Sequence, residues 1–428
     1  MKKYVLIIIT LTLTLILSII FFDNNKTNMK NYIEIKNAKQ EILQYNIEDI
    51  DIEFLDWIEE TYGEYTLIKL ENKLEENTYD KKIWHDLTGN SLIVLKDLYS
   101  NNKSDNIKII NGNKEEITLS FIGDVSLADN FEIIPYYDSR GGITGILSEE
   151  VIDNMQSSDL LIANNEFTIS NRGEKMPNKL YTFRALPERV NIYKEMGVDL
   201  VTLANNHVYD FGQLAFLDTL EILKENDIPY IGAGQDINEA IKPYYFIING
   251  YKIGFVNATR AEKYIMTPEA SESSPGVLRT YNPEKFKEVI KNTKSNSDYV
   301  IALIHWGKED SHQLEQVQID TGKEYIDSGA DVLVGTHAHV LQGMEFYNDK
   351  LIAYNLGDFI FNRESKETGI LNVKINSSGE LKYQFIPCYQ HDYKTTLLKD
   401  EEKTITLDNM EKWSVNAKFN DNGDIEKK

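Results

Sequence analysis

The feature that most constrains the fold is a repeated alternation of short apolar segments, polar loops and amphipathic stretches, which begins at Ile117. The apolar segments are short and bounded by turn-forming residues, as buried strands are. The predicted strands are Thr118–Ile122, Leu160–Ala163, Leu200–Leu203, Tyr230–Gly232, Tyr299–Ile304, Val332–Val334 and Leu351–Tyr354. The predicted helices between them are Ser148–Gln156, Glu188–Met196, Phe211–Glu225 and Pro283–Thr293. This alternation predicts an α/β fold with a largely parallel, buried sheet and helices packed outside it.

Two further segments predict β-hairpins. Each has two runs of strand-forming residues joined by a turn that contains glycine, at Asn249-Gly250 within Tyr245–Val256 and at Ser378-Gly379 within Gly369–Cys388. Asn-Gly is a frequent two-residue hairpin turn because both residues tolerate a positive φ. The hairpins indicate an antiparallel edge of the main sheet or a second sheet.

Residues that can bind a metal or transfer a proton follow several of the predicted strands. In a parallel sheet, the loops after the carboxyl ends of the strands meet at one rim. Four of the seven histidines lie at these strand ends. Mixed carboxylate, amide and imidazole ligands suit Mn, Zn or Fe, and a two-ion site needs a bridging carboxylate. The segments are Gly123-Asp124, Asn164-Asn165-Glu166, Asn205-Asn206-His207, His305-Trp306-Gly307, His337-Ala338-His339 and Asn355-Leu356-Gly357-Asp358.

Each of these residues also has an ordinary structural interpretation. Asp124 could cap a helix, Glu166 could be a solvated loop residue, and His305 could be a buried, hydrogen-bonded histidine. The His337-Ala338-His339 spacing is more specific, because alternate residues of a strand point to the same side. A metal site accounts for all of these positions together, whereas the structural interpretation needs a separate coincidence at each.

The first residues predict a membrane anchor. Lys2 and Lys3 precede nineteen residues without a charge, Tyr4–Phe22, and Asp23 closes the run. At about 1.5 Å per residue this run spans roughly 28 Å, the thickness of a bilayer core. No small-residue cleavage pattern follows it, so we expect an uncleaved signal-anchor rather than a signal peptide. The paired lysines predict a cytoplasmic N-terminus and an extracellular remainder.

The rest of the chain divides by composition into four further regions. Residues 23–48 are rich in Asn and Lys and predict a polar stalk, and residues 49–100 show apolar residues at helical spacing and predict a small helical region of three helices. Residues 117–362 contain the alternating domain. Residues 363–428 are expected to form a C-terminal hairpin and a polar tail.

Composition excludes several classes of partner and site. The formal net charge is −23, and such an acidic surface repels nucleic acid. It also repels an anionic substrate unless a local positive charge, such as a metal ion, recruits it. Cys388 is the only cysteine, so the chain can form no internal disulfide and no cysteine-rich zinc site. Any metal must therefore be held by His, Asp, Glu and Asn.

The order of the motifs resembles the CapA-type capsule synthesis family over roughly residues 117–362. That family is associated with poly-γ-glutamate and related bacterial capsules, and its fold is similar to that of the calcineurin-like metallophosphoesterases. The resemblance implies a two-sheet sandwich flanked by helices. The motifs that carry it are Gly123-Asp124, Asn164-Asn165-Glu166, Ala204-Asn205-Asn206-His207 with Asp210 and Gly212, His305-Trp306-Gly307 with Glu309, Gly335 with His337, His339 and Glu345, and Asn355-Leu356-Gly357-Asp358-Phe359.

The resemblance also implies a role for each site residue. One metal ion would be held by Asp124, Glu166 and His339. The second would be held by Asn206, His305 and His337, with Glu166 bridging the two. The catalytic residue His207 would donate a proton to the leaving group or polarise the attacked centre. From its position one helical turn on, Asp210 is expected to be a second catalytic residue that orients the His207 imidazole.

Three positions depart from the phosphoesterase pattern. Ser126 stands where those enzymes usually have the histidine of Asp-x-His, and Glu166 stands where they usually have a bridging Asp. Asp358 stands where the family often has Asn, and it adds an acceptor near the site. The loss of one ligand predicts weaker binding of one ion, or a site for a single ion.

The function expected from these features is a membrane-anchored, extracellular protein of capsule biosynthesis that hydrolyses or transfers at a phosphoester or an amide of an anionic polymer or its precursor. The expected substrate contacts are Arg184, Arg260, Glu309 and Asp358, although the two arginines could equally be ordinary surface residues. Two alternatives stay open: a non-catalytic polymer-binding or assembly subunit, which the substituted first motif favours, and a surface nucleotidase. Membrane capsule-synthesis subunits are possible partners.

Overall fold

The computed structural model describes residues 30–47, 50–101, 104–110, 116–262, 266–362 and 365–428, in two compact units, Met1–Asn102 and Lys103–Lys428. The predicted membrane segment Tyr4–Phe22 lies outside the described residues. Within the described ranges, no helix combines the length and the hydropathy that crossing a bilayer requires.

The N-terminal unit is helical, as expected, but contains more helices than the three that periodicity predicts. Asp51 caps α2 by accepting a hydrogen bond from the Phe54 amide at 2.7 Å. Trp84 is fully buried in the centre of the unit. The helices are α1 (residues 30–44), α2 (Ile52–Tyr62), α3 (Glu64–Glu75), α4 (Ile83–Thr88) and α5 (Leu92–Tyr99).

Helix α1 corrects the prediction that residues 23–48 form a polar stalk throughout. Ile35, Ala38 and Ile42 are buried, and they recur at steps of three and four residues. This spacing places them on one face of a helix, where Ile35 and Ile42 join the core of the unit. So short an apolar stripe does not stand out in a segment that is rich in Asn and Lys.

The second unit contains the alternating strands and helices. Its strands are β1 (Ile107–Ile110), β2 (Ile117–Val125), β3 (Leu160–Asn165), β4 (Thr168–Ile169), β5 (Arg184–Ala185), β6 (Leu200–Thr202), β7 (Tyr230–Ile231), β8 (Ala233–Gly234), β9 (Tyr244–Ile248), β10 (Tyr251–Thr259), β11 (Gly276–Val277), β12 (Tyr299–His305), β13 (Val332–Thr336), β14 (Leu341–Tyr347), β15 (Lys350–Leu356), β16 (Asp358–Ile360), β17 (Ser365–Ile375), β18 (Leu381–His391), β19 (Lys394–Leu397), β20 (Ala417–Phe419) and β21 (Asp424–Lys427). Its α-helices are α6 (Ile133–Ser139), α7 (Glu149–Gln156), α8 (Asn191–Met196), α9 (Gly212–Glu225), α10 (Ile237–Ala240), α11 (Glu284–Lys294), α12 (Gln316–Asp327) and α13 (Asp400–Trp413), with 3₁₀ turns at Gly142–Gly145 and Pro187–Val190.

Two large sheets form the centre of this unit. The seven-stranded sheet has the order β1-β9-β10-β12-β13-β15-β14. Four neighbouring strands in it, β10, β12, β13 and β15, are parallel. The ten-stranded sheet has the order β20-β21-β18-β17-β2-β3-β6-β7, with β16 beside β2 and β19 beside β18. Its strands β2, β3, β6 and β7 are parallel. The expectation of a mixed α/β fold with two sheets is therefore confirmed.

The predicted hairpins are both present, and they occupy different sheets. Strands β9 and β10 pair antiparallel in the seven-stranded sheet, while β17 and β18 pair antiparallel in the ten-stranded sheet. Strand β17 also pairs with β2, so it lies inside the sheet and not in a separate tail. The region after residue 362 thus differs from the expected polar tail, because α13 buries Leu407 and Met410 and β21 pairs with β18.

Three apolar layers hold the sheets and helices together. The central layer lies between the two sheets, where Phe121 and Phe385 of the ten-stranded sheet join the same buried cluster as Phe255 and Leu303 of the seven-stranded sheet. A second layer packs α7, α8 and α9 on the ten-stranded sheet. The third packs α11 and α12 on the seven-stranded sheet and includes Trp306. Two sheets between outer helices are the arrangement that the sequence predicted.

Close backbone contact holds β2 against Gly357, where the chain passes from β15 of the seven-stranded sheet to β16 of the ten-stranded sheet. The Asp124 amide at the end of β2 donates to the Gly357 carbonyl oxygen at 2.9 Å, just after β15. Gly123 has no side chain to obstruct this approach, and a Cβ built there would overlap that same oxygen. A glycine at position 123 is therefore required for the two sheets to meet at this point.

Gly123→Ala should destabilise the chain by about 1–3 kcal/mol, because the added methyl group forces the two backbones apart. Gly322→Ala is the matched control: this glycine lies in α12, and a Cβ there would contact only side-chain ends, so its effect should stay within about 1 kcal/mol. Denaturant unfolding of the two variants beside the wild type measures both. Equal stability of Gly123→Ala and the wild type would contradict the requirement.

Candidate metal centre

The strand ends bring the predicted ligands into one buried cluster. Two sets of three side chains each have ligand atoms within 4.8 Å of one another, and the carboxylate of Glu166 belongs to both sets. All five residues are buried. The convergence arises because β2, β3, β12 and β13 run parallel within their sheets and end at the same rim. The sets are Asp124, Glu166 and His339, and Glu166, His305 and His337.

Asp124 links the cluster across the two sheets. Its Oδ1 accepts a hydrogen bond from Asn164 Nδ2 at 2.8 Å, and its Oδ2 accepts one from the backbone amide of His337 at 3.0 Å. Asn164 lies near the end of β3 beside it, while His337 follows β13 of the other sheet. These two hydrogen bonds fix the carboxylate so that it faces the imidazoles.

Glu166 lies between the two sets. Its Oε1 is 3.6 Å from His305 Nε2, 4.0 Å from His339 Nε2 and 4.0 Å from His207 Nε2. This oxygen is buried and has no hydrogen-bond partner. Buried carboxylate oxygens are normally hydrogen-bonded or bound to a cation. The position of Oε1 therefore suits a bridging ligand.

His305 and Asn206 form the second side of the cluster. His305 Nδ1 lies 2.9 Å from Thr336 Oγ1, and its Nε2 lies 2.7 Å from Asn206 Oδ1. A bond at Nδ1 orients the ring and leaves Nε2 directed at the cluster. Asn206 Oδ1 thus reaches the same region as His305 Nε2, although Asn206 comes from the loop after β6.

The two histidines after β13 have unusual backbone conformations. His337 has φ of 99° and His339 has φ of 56°, values that L-residues rarely adopt. The structure keeps both rings in the cluster, with His337 Nδ1 buried and without a hydrogen bond, and with His339 Nδ1 2.6 Å from Asp358 Oδ1. Backbone strain of this kind is concentrated at functional sites.

Burial sets the protonation of the cluster. Removal from water raises the pKa of Asp124 to about 6 and raises the pKa of Glu166 well above its usual value. Removal from water and the neighbouring imidazoles lower the pKa values of His305 and His337 well below the usual range. Burial also lowers the pKa of His339, but Asp358 outweighs this and raises it to about 9. Uncompensated negative charge is thus unfavourable here, and a cation would offset it.

His207 lies beside the ligand sets but has a different set of contacts. Its Nδ1 is 2.8 Å from Asp210 Oδ2, and its ring stacks on Phe183 with 4.1 Å between ring centres. Burial lowers its pKa, although Asp210 acts in the opposite direction. The hydrogen bond to Asp210 occupies Nδ1, so Nε2 is the atom that faces the cluster.

The donor set fits one or two divalent transition-metal ions. Neutral imidazoles, carboxylates and an amide oxygen are the ligands that such ions take in proteins. The unpartnered Glu166 Oε1 and His337 Nδ1 are polar atoms that a cation would satisfy. The side chains of Asp124, Glu166 and His339, and those of Asn206, His305 and His337, would hold these ions.

Four residues expected to contact substrate have different surroundings. The Arg184 guanidinium lies over the Phe211 ring and that of Arg260 over the Tyr281 ring. Neither guanidinium has a hydrogen bond or ion pair to a cluster side chain among the contacts of the described residues. Substrate contact by the arginines stays a prediction.

The two acidic residues of this group lie closer to the imidazoles. Glu309 is exposed and lies in the loop after β12, four residues beyond His305. Asp358 is fully buried and bonds His339, so it orients an imidazole instead of meeting a substrate directly.

Sequence reasoning missed several residues that support the cluster. Asn164 stands within a quoted motif, yet its hydrogen bond to Asp124 depends on β2 and β3 being neighbours. Thr336 directly precedes His337, and a polar residue before a predicted ligand is a usable signal. Lys179 and Phe183 come from the long connection between β4 and β5, where no local pattern points to the site.

Comparison with known proteins agrees with this architecture. The family described as "Bacterial capsule synthesis protein PGA_cap" matches residues 118–363. A capsule biosynthesis protein CapA from Bacillus anthracis is 28% identical over 284 residues, which cover 64% of this chain and 67% of that protein. A PGA biosynthesis protein CapA from Bacillus subtilis (strain 168) is 26% identical over 325 residues, which cover 73% of this chain and 84% of that protein.

A solved 5'-nucleotidase from Candida albicans SC5314 is 12% identical, with a TM-score of 0.34, over 63% of this chain and 51% of that one. That TM-score carries no argument about fold or activity. The family match, in contrast, covers more than half of the chain and includes every residue of the buried cluster. The chain therefore belongs to the bacterial capsule synthesis protein family PGA_cap, which confirms the resemblance seen in the motifs.

Proposed function

We propose that this protein is a membrane-anchored, extracellular enzyme of capsule synthesis, which hydrolyses or transfers at a phosphoester or an amide of an anionic cell-surface polymer or its precursor. The observation that carries the proposal is the pair of ligand sets that share Glu166, beside a histidine whose Nε2 is directed at them. Two sets with a common carboxylate suit a two-ion centre. The name of the Bacillus subtilis relative supports poly-γ-glutamate as the polymer, and that of the Bacillus anthracis relative supports capsule synthesis.

Each residue of the centre has a distinct part in this chemistry. Bound divalent ions would supply Lewis-acid activation of water and of the attacked centre. His207 would then transfer a proton from Nε2 to the leaving group, with Asp210 holding Nδ1 and stabilising the charged ring. Phe183 stacks on the same ring and restricts its rotation.

The charge of the protein supports an anionic substrate that needs a cation for recruitment. The chain has a formal net charge of −23, so its surface repels polyanions over most directions. Metal ions at the cluster would reverse the sign of the local potential. A polyanion would then be attracted at the strand ends and repelled elsewhere, which favours binding of one polymer segment at the centre.

A specific observation favours a second candidate, a non-catalytic assembly or polymer-binding subunit. Ser126 occupies the position where metallophosphoesterases usually have a histidine ligand, and its buried Oγ has no hydrogen-bond partner. A first set with one donor fewer would bind its ion more weakly. Turnover measurements distinguish the two functions, and a surface nucleotidase would differ from both by accepting small phosphoesters freely.

Turnover by the purified chain tests the proposal directly. The chain is incubated with Mn, Zn or Fe and with a panel of phosphoesters and γ-glutamyl peptides. Metal-dependent release of product from polymer-like substrates is the expected result. Metal binding without turnover on any substrate would support the assembly subunit, and broad activity on small phosphoesters would support the nucleotidase.

The proposed membrane anchor gives a prediction of topology. Protease added to intact cells should remove the region after Asp23 and leave the N-terminus protected, because paired lysines before an apolar run stay in the cytoplasm. Immunoblotting with tags at both ends measures this, and a cytosolic protein that stays intact is the control. Recovery of the full-length chain from the cytosol, with none in the membrane fraction, would contradict the anchor.

The ligand sets predict the metal content. The purified chain should contain about one to two transition-metal ions, and replacing both His337 and His339 with Ala should abolish that content, because each set then loses an imidazole. His391→Ala is the matched control, since the His391 side chain is 63% exposed and lies outside the cluster. Elemental analysis measures all three proteins. The same metal content in the double variant and the wild type would refute the assignment.

The His207→Ala variant distinguishes a catalytic site from a structural one. His207→Ala should keep fold and metal, because it belongs to neither ligand set, yet lose polymer production, since a general acid typically contributes about a hundred- to ten-thousand-fold in rate. Asp210→Asn should give a milder defect of the same kind. Surface polymer is measured in cells that carry each variant, with protein level and metal content in parallel. Normal polymer with His207→Ala, together with none in the His337/His339 double variant, would show that the site is structural.

A further inference from the structure

We infer that Lys179 is a positioning residue, which holds Asn206 and the His207–Asp210 pair in place for the second metal ion. The inference rests on the proposed metal centre and extends it to a residue outside the ligand sets. Lys179 lies in the connection between β4 and β5, and its side chain is only 7% exposed. It is remote in sequence from every predicted ligand.

The ammonium group of Lys179 contacts three acceptors at once. Nζ lies 2.8 Å from Asp210 Oδ1 and 2.8 Å from Glu262 Oε1, and it donates to the Asn206 backbone carbonyl oxygen. The contact with the Asn206 carbonyl is a hydrogen bond, and the contacts with the two carboxylates are ion pairs. Two carboxylates thus neutralise the Lys179 ammonium group, which suits a partner of the residues around the cluster better than a site for a substrate anion.

Two of these acceptors belong to residues with a direct part in the site. Asp210 holds His207 Nδ1 through its other oxygen, Oδ2. Asn206 presents Oδ1 to His305 Nε2 at 2.7 Å, and its carbonyl, which Lys179 binds, fixes the orientation of the same residue. One cation thus controls both the proton-transfer pair and a ligand of the second set.

The connection that carries Lys179 is attached to the site at further points. The Met176 amide donates to the Asp210 carbonyl oxygen at 2.8 Å, and the Phe183 amide donates to Asp210 Oδ2 at 2.6 Å. Phe183 also stacks on His207. Asp210 is the common acceptor of these contacts, and Lys179 is the cation that neutralises it.

Glu262, the third acceptor of Lys179, belongs to a different part of the chain, which also contacts Asn206. Thr267 Oγ1 donates to the Asn206 carbonyl oxygen at 3.0 Å, beside Lys179, and the Thr267 amide donates to Glu262 Oε2 at 3.1 Å. The buried Arg279 holds this region by donating to the Thr267 carbonyl oxygen at 2.9 Å and to the Glu262 carbonyl oxygen at 2.7 Å. Asn206 is therefore held from two sides, and Lys179 joins them.

Removing the ammonium group should affect one ligand set more than the other. Asp210 and Glu262 would face each other without a cation, and the Asn206 carbonyl would lose a donor, so Asn206 would leave its position. Loss of such an outer partner typically weakens metal binding about ten- to a hundredfold. Among the described residues, Lys179 forms no ion pair or hydrogen bond with Asp124, Glu166 or His339, so the ion of that set should bind as before.

Calorimetric titration of the full-length chain with Mn²⁺ alone tests the inference. Lys179→Met should weaken one of the two binding events about ten- to a hundredfold and leave the other unchanged. Lys175→Met, at an exposed lysine of the same connection, is the matched control and should bind as the wild type does. Lys179→Arg keeps the charge and several donors and should bind closer to the wild type than Lys179→Met does.

A second measurement uses the metal-free chain. Hydrogen–deuterium exchange of residues 176–183 should be faster in Lys179→Met than in Lys175→Met, because the Met176 and Phe183 amides bond Asp210. Unchanged Mn²⁺ binding by Lys179→Met, or equal weakening of both events, would overturn the inference. A wild-type chain that binds no Mn²⁺ would overturn the proposed metal centre. Exchange in the metal-free variants would then decide whether Lys179 positions Asp210, and unchanged exchange would refute it.

Discussion

The hydrogen bond from the His337 backbone amide to Asp124 Oδ2 is the interaction on which the rest of the site depends. It joins His337, which follows β13 in one sheet, to Asp124 near the end of β2 in the other. Beside this bond, Gly123 lets β2 approach the Gly357 carbonyl in the connection between β15 and β16, because no side chain stands between them. The packing of the two sheets and the assembly of the cluster thus depend on contacts at the same strand ends.

This close approach has an electrostatic consequence. It removes two carboxylates and three imidazoles from water together, which raises the pKa values of Asp124 and Glu166 and lowers those of His305 and His337. Hydrogen bonding alone does not compensate this burial, since Glu166 Oε1 has no donor. A divalent cation offsets both effects, because it stabilises ionised carboxylates and takes neutral imidazoles as ligands. The fold thus buries a site that a positive charge stabilises, in a chain that is otherwise strongly acidic.

The sequence predicts those parts of the structure that follow from local pattern and parallel topology. The strand-end positions of Asp124 and His339 are predictable, because parallel strands of one sheet end at one rim. That rule does not predict that two sheets, each with its own rim, bring these residues together. Lys179 was not predictable, since its contacts depend on the path of a long connection. Helix α13 is not predictable for a similar reason: its few buried residues, such as Leu407 and Met410, lie within a polar stretch and are buried against strands remote in sequence. Tertiary contacts decide such elements, whereas periodicity decides the strands.

The departure at Ser126 changes the balance between the two ligand sets more than it changes the centre as a whole. Glu166 belongs to both sets, so a weak first set still shares a ligand with the second. Asp358 also acts on the first set, because its hydrogen bond at 2.6 Å orients His339. The second set has its own support in Thr336, which bonds His305, and in the acceptors that surround Lys179. Each set thus has an outer contact of its own, at Asp358 or at Thr336. The two sets also share Asn164, which donates to Asp124 and lies 3.4 Å from His305 Nδ1.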